Sequence, residues 1–324
     1  MHSRLSLLNL RSRLTGVLRE HQLLLILAGI YVAGVATFMF ATGLQRHWVV
    51  RWTYPSFAAL FLAVSAGGLA FQPRVRTFEA IAGALLVGLI APPVQSTFNS
   101  VKQVIDDVNG YTWDARFAEL DRWLHFGRHP WQWLEPLVHD RGVIRFIDAG
   151  YVLWFPVLFG FIVWLAWTTN RALRRNALIA TLLVWVVCGN IAAIVFASAG
   201  PCYYAAVVPG TDPYAPLMAV LQARHTEDFL FARFNQIALW ESLQARTWLP
   251  FGGVSAMPSV HVAMATLIAI VAHAQNRTAG LLLTIFAGLT MLGSVVLGWH
   301  YAIDGYLGAA MAFAIWFLVR KLPL

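Results

Sequence analysis

Two short motifs carry groups that could do chemistry: Pro258-Ser259-Val260-His261 and His300-Tyr301-Ala302-Ile303-Asp304. Both sit at the ends of segments otherwise apolar enough to cross a bilayer. Ionisable groups cost free energy in hydrocarbon, so their position alone makes them functional candidates. His300 and Asp304 are four residues apart, which on a helix places them on one face, about one turn apart. A carboxylate there accepts the proton of one imidazole nitrogen. It thereby fixes the tautomer, orients the ring and stabilises the positive charge that develops when the other nitrogen attacks. Such a spacing arises by chance on many helices. Inside an apolar segment the aspartate needs a partner, and here a histidine is at the right distance.

His261 lies 39 residues before His300, the length of two spans of roughly 20 residues, one down and one back. Only Gln275, Asn276 and Arg277 interrupt that interval, where the turn is expected. The two histidines should therefore return to the same membrane face, each at a helix start or just before it. A helix start offers free N–H groups to an anionic oxygen. Ser259 suits a cap and Pro258 a first turn. Two imidazoles and a carboxylate at such a place suit phosphoryl transfer on a lipid.

The elements that must position these groups follow from composition. The 324 residues are 59% hydrophobic and only 12% charged, with a mean hydropathy of +0.64. A soluble domain carries about twice that charged fraction, so the expected class is an all-α polytopic membrane helix bundle. Eight spans are predicted, near 22–43, 55–72, 77–99, 147–168, 177–199, 257–274, 279–298 and 300–319. The first follows Arg4, Arg11, Arg13 and Arg19 but is too long for a signal core and lacks a clear cleavage site. The second is short and contains Ala66-Gly67-Gly68. Cys188 and Cys202 fit neither a disulfide framework nor a metal cluster.

A net charge of +8 alone is compatible with nucleic acid, but its distribution argues for a membrane. With the N-terminus inside, the inner segments hold twelve of the 23 Lys and Arg residues. Of the 15 acids they hold only Glu20 and Glu79. Short Arg-rich loops stay cytoplasmic, so both termini are expected in the cytoplasm, of a bacterial inner membrane, with the site on the non-cytoplasmic side. Two long outer segments, 100–146 and 200–256, carry apolar stripes at helical spacing. They are Phe117, Leu120, Trp123 and Leu124 in the first, and Leu217, Val220 and Leu221, then Phe231, Phe234 and Ile237, in the second. Such stripes suit either helices lying in the headgroup layer or a small cap packed over the spans.

The two histidine motifs resemble those of the type 2 phosphatidic acid phosphatase superfamily, whose second signature is Pro-Ser-x-His and whose third ends in His-x-x-x-Asp. The resemblance implies a six-helix core, here residues 77–324, with residues 1–76 supplying a cytoplasmic segment and two extra spans. It also implies roles: His300 as the nucleophile that forms a phosphohistidine, Asp304 as its orienting carboxylate, and His261 as the acid that protonates the leaving oxygen. The chain departs from the family pattern where Gly293 and Ser294 replace Ser-Arg, and where Lys102 is followed at the Arg-Pro position by Asn109. These losses are similar to the inositol phosphorylceramide synthase (aureobasidin-resistance) branch and the sphingomyelin synthases. Those enzymes share His300-Tyr301 to Asp304, then Gly305 and Gly308. The stretch from Asp121 to Gly127 with Pro130, and Ala199-Gly200-Pro201 with Tyr203 and Tyr204, also resemble bacterial members. The similarity covers about residues 95–310.

Candidate substrate-binding residues are Lys102, Ser259, Tyr301, Arg128, Tyr203 and Asp148. Taken singly, Arg128, Arg224, Arg233 and Arg246 are expected to be solvated or to touch headgroups, while Lys102 stands out beside a span end after Asn99 and Ser100. Asp148 either pairs with a site cation or histidine or marks the interface. Asn190 is expected to bond between helices. His125, His129 and His139 are expected at the surface, His273 at the cytoplasmic interface, and no metal or other cofactor is expected. The function this points to is a lipid phosphotransferase moving a phosphoryl or phosphoalcohol group, such as phosphoinositol, from a phospholipid or other lipid phosphate to a lipid hydroxyl. A phosphatase using water at the same histidines is the alternative. A transporter would place ionisable groups near the midplane on paired broken helices; here they cluster at one face.

Overall fold

The computed structural model describes residues 2–44, 78–249 and 252–322. Those residues are helical and include no strand. The chain begins with α1 (His2–Ala41), α2 (Phe78–Lys102), α3 (Ile105–Asn109), α4 (Asp114–Leu124), α5 (Pro130–Trp133) and α6 (Glu135–His139). Next come α7 (Arg141–Val152), α8 (Trp154–Trp167) and α9 (Arg171–Leu183), the last continued by a π-helical stretch, Val184–Ala192, and a turn, α10 (Ala193–Val195). Beyond a short 3₁₀ turn lie α11 (Tyr204–Val207), α12 (Ala215–Asp228), α13 (Phe231–Gln244), α14 (Val260–Gln275), α15 (Arg277–Val296) and α16 (Ala302–Val319).

Six helical stretches are long and apolar enough to cross a membrane: Arg11–Ala41, Ile81–Lys102, Arg141–Trp167, Arg171–Val195, Arg277–Val296 and Ala302–Val319. The chain is therefore an integral membrane protein. A seventh predicted span appears as α14, a shorter apolar helix of 16 residues; at 1.5 Å per residue it reaches only about 24 Å. The span predicted at 55–72 lies outside the described residues.

By internal packing the chain divides into two compact units. The first comprises residues 1–97, 159–182 and 318–324. Its Arg174 is buried and pairs with Glu20, while the Arg174 guanidinium also donates to the Thr168 carbonyl. The second comprises residues 98–158 and 183–317 and contains every candidate site residue. Its core joins Phe117, Ile144, Ile147, Leu217, Leu221, Leu230, Val296, Leu297, Tyr301 and Ile303. The outer segments thus pack as a cap on α15 and the start of α16. Their helices keep apolar outer faces as well: Leu120, Trp123, Leu124 and Phe126 on one, Phe229, Phe231 and Phe234 on the other, are exposed. The packing realises the cap alternative for these segments.

Local signals account for the elements that carry the histidines. Ser259 caps α14 through Val262 N–H, and Asn276 caps α15 through Ala279 N–H, so a single residue turns α14 into α15. Asn190, in the π-helical stretch, donates to the Phe98 carbonyl, the interhelical bond that its place in an apolar run requires. Cys188 and Cys202 are unpaired thiols.

Candidate active site

His300 lies not on α16 but in the five-residue connection before it. Gly298 turns the chain there at φ +74°, and the His300 N–H donates to the Ser294 carbonyl at 3.0 Å. From this position the His300 Nδ1 sits 3.2 Å from Asp304 Oδ2, in the first turn of α16. The same oxygen accepts from Tyr301 N–H at 3.1 Å. Asp304 is fully buried. An ionised carboxylate accepts only, so with Asp304 ionised the ring proton sits on Nδ1 and the lone pair on Nε2.

His261 occupies the first turn of α14, and its ring centroid is 6.5 Å from that of His300. The two motifs are tied directly, since Ser259 N–H donates to the Asp304 carbonyl at 3.0 Å. Aromatic rings wall the other side of His261. Tyr151 stacks at 5.0 Å and 20°, Trp154 approaches to 4.2 Å, and the Trp154 indole N–H donates to the His261 carbonyl at 2.9 Å. The two imidazoles are thus close neighbours inclined at 56°, one held by a carboxylate and one packed among aromatic rings.

The close passage of α16 over the Pro-Ser-x-His motif depends on a missing side chain. A Cβ at Gly308 would lie 2.5 Å from the Ser259 carbonyl oxygen. We expect Gly308→Ala to push α16, and Asp304 with it, away from His261. Melting temperature should fall by the equivalent of about 1–3 kcal/mol, and turnover should fall further than the loss of folded protein explains. Thermal unfolding and specific activity, measured together, check both.

Lys102 ends α2, and its field reaches both histidine rings. Its carbonyl is packed by Gly253 at φ +94°, where a Cβ would come within 2.5 Å. Among the described residues no carboxylate pairs with Lys102. The outer arginines are engaged elsewhere. Arg246 pairs with Asp106 at 2.8 Å and Asp107 at 3.1 Å. Arg224 bonds Glu227 and the His139 carbonyl, and Arg233 donates to Gln222.

Of the other candidates, Ser259 lies in the site as the cap of α14, and Tyr301 directs its hydroxyl away, onto Asp114 Oδ1 at 2.8 Å. Three side chains are engaged apart from the histidines. Asp148 accepts from Phe231 N–H and Ala232 N–H and so caps α13. The Tyr203 hydroxyl donates to the Gln236 carbonyl, and the Arg128 guanidinium lies 5.0 Å over Trp133. His129 is not at the surface as expected. It is buried against Tyr214, whose hydroxyl is 3.2 Å from Nδ1, and burial lowers its pKa. His125 is half-buried, between the Asp121 carbonyl at 2.6 Å and the Tyr306 hydroxyl at 2.9 Å. Of these three, His139 is the well exposed one. Among the described residues no group of His, Cys, Asp and Glu is placed to hold a metal ion.

Sequence reasoning missed two aspartates of α4. Asp114 accepts from Ala199 N–H, Gly200 N–H and the Tyr301 hydroxyl at 2.8–2.9 Å. Asp121 accepts from Ala302 N–H at 3.1 Å and Ile303 N–H at 3.2 Å. Burial pushes the Asp121 carboxyl up to about 6, against the pull of those N–H groups and His125. The available signal was their seven-residue spacing, which puts both on the same face as Phe117 and Ala118.

Compared with known families, residues 115–318 match the model of the PAP2 superfamily. That stretch is more than half of the chain and includes both histidine motifs. No curated protein and no solved structure matches the chain.

Proposed function

The chain belongs to the PAP2 superfamily and is a membrane enzyme of the phosphatidic acid phosphatase type, acting on lipid phosphates; from that premise we propose that it is a lipid phosphotransferase working through a phosphohistidine on His300. The closeness of His261 and His300, ring centroids 6.5 Å apart, with Asp304 on the far nitrogen of His300, carries this reading.

In the first half-reaction His300 Nε2 attacks phosphorus and the bond to the leaving oxygen breaks. Protonated His261 gives that oxygen its proton, and Asp304 stabilises the charge formed on the His300 ring. In the second half-reaction neutral His261 takes the proton of the acceptor hydroxyl, the oxygen attacks phosphorus, and the P–N bond breaks. His300 leaves neutral, its proton still on Nδ1. Lys102 offsets phosphate charge, and Ser259, by capping Val262 N–H, fixes the start of α14 that carries His261.

Transfer to a lipid hydroxyl, with phosphoinositol as one such head group, is favoured over hydrolysis by two features. The resemblance at residues 121–130, 199–204 and 300–308 is to transferases. His300 and Asp304 are also buried, with an aromatic wall beside His261, which disfavours water as acceptor. The charge asymmetry of the loops supports both termini in the cytoplasm of a bacterial inner membrane and the site on the opposite face. Residues 77–324 would then form the six-span core and residues 1–76 the addition.

The test supplies the protein in vesicles with radiolabelled phosphatidylinositol and a ceramide or diacylglycerol acceptor. A new labelled phospholipid, lost in His300→Ala, is the expected result. Free inositol phosphate or inorganic phosphate as the main product would move the assignment to a phosphatase.

A further inference from the structure

Asp114 and Asp121 have no place in the reaction just described, yet they hold the backbone on which it depends. Both are buried. Asp121 takes the N–H groups of Ala302 and Ile303, the first two of α16. Asp114 holds Tyr301 by its hydroxyl, and also Ala199 and Gly200 by their N–H groups. Gly200, at φ +95°, lies directly against the Trp299 carbonyl, where a Cβ would come within 2.6 Å. The segment from Trp299 to Ile303 is therefore held by α4 at Tyr301, Ala302 and Ile303 and abutted by Gly200 at Trp299, while His300 N–H is held by the Ser294 carbonyl.

These contacts set the geometry of the His300–Asp304 pair. Asp304 Oδ2 receives both His300 Nδ1 and Tyr301 N–H, while Oδ1 has no partner among the described residues. The carboxylate is thus aimed by the 301–304 backbone and by little else. Helix starts are ordinarily capped by a neighbouring Ser, Thr, Asn or Asp. Here Tyr301 precedes α16, and the acceptor comes from a carboxylate 181 residues earlier. Burial pushes both carboxyls above their ordinary range, so the arrangement costs stability that a local cap would not.

We propose that Asp114 and Asp121 are positioning residues for the His300–Asp304 pair, with α4 as an external brace on the 299–303 segment. The proposal rests on the reading of His300 as nucleophile. Displacing a reacting group by about 1 Å can cost about 10²-fold in rate, so the brace should be read in kcat.

The full-length protein in vesicles is compared with Asp121→Asn, Tyr301→Phe and His300→Ala. Turnover of the labelled phospholipid, melting temperature and amide exchange at residues 299–303 are followed. The His300 Nδ1–H proton resonance is identified by its absence in His300→Ala. Asp121→Asn should lower kcat by about 10–100-fold with KM within about twofold, and speed exchange at Ala302 and Ile303. Tyr301→Phe, which removes one hydroxyl and keeps the ring, should lower kcat about tenfold, shift the Nδ1–H resonance and leave melting nearly unchanged. Normal kcat in Asp121→Asn despite faster exchange would reduce the contact to a structural one and overturn the proposal. If that variant does not fold, Tyr301→Phe decides: unchanged kcat and an unshifted resonance overturn it. Full turnover in His300→Ala would instead sink the nucleophile, and the resonance alone would then judge the brace.

Discussion

Replacing His300 by alanine is expected to reduce turnover by about 10⁵-fold, to the background of the unassisted reaction, because removing a covalent nucleophile removes the pathway itself. The subtler variant is Asp304→Asn. It keeps the shape and removes a buried charge, so melting temperature should hold or rise. Catalysis should still fall by about 10²–10⁴-fold. The amide can present its N–H₂ to His300 Nδ1, which moves the ring proton to Nε2 and occupies the lone pair that must attack phosphorus. With that nitrogen in the Oδ2 position Tyr301 N–H loses its acceptor, a local loss set against the relief of no longer burying a charge. Brief incubation with labelled substrate should give a protein-bound phosphate stable to alkali and labile to acid. It should be present in the wild type, absent in His300→Ala and scarce in Asp304→Asn. Full labelling of His300→Ala would place the covalent step on another residue.

How much of this was legible beforehand depends on the range of the interaction. The His300–Asp304 contact spans four residues and the Ser259 cap three, so local periodicity and cap chemistry were enough to find them. The return of His261 to His300 followed from the length of two spans. The roles of Asp121, Asp114 and Asp148 were not legible, because their partners lie 83 to 187 residues away. A buried aspartate that caps a distant helix has the same letters around it as one exposed in a loop. One indirect clue was available. The residues preceding α13 and α16 are Leu230 and Tyr301, which have no side-chain acceptor suited to cap a helix, so those helix starts needed one from elsewhere. His129 misled for the converse reason. Its neighbours are charged, but Tyr214, 85 residues on, covers it.

His261→Gln makes the second large prediction, because its size should depend on the leaving group. A lipid alcohol departs poorly as an alkoxide, so losing the proton donor should cost about 10²–10⁴-fold with the lipid substrate. An aryl phosphate whose phenol is already acidic needs no such help. For it the first half-reaction should stay within about tenfold of wild type, since a stable leaving anion takes little of its proton in the transition state. The second half-reaction has no such relief. It still needs a base for the acceptor hydroxyl, and the 6.5 Å between the ring centroids leaves His261 the residue facing that position. His261→Gln should therefore release the phenol in a burst and then stall, with phosphohistidine accumulating where the wild type shows little. Glutamine also keeps a polar side chain between Tyr151 and His300, so the aromatic wall need not collapse. Equal losses with both substrates and no accumulated phosphoenzyme would mean that His261 only shapes the pocket, and that the proton moves by another route.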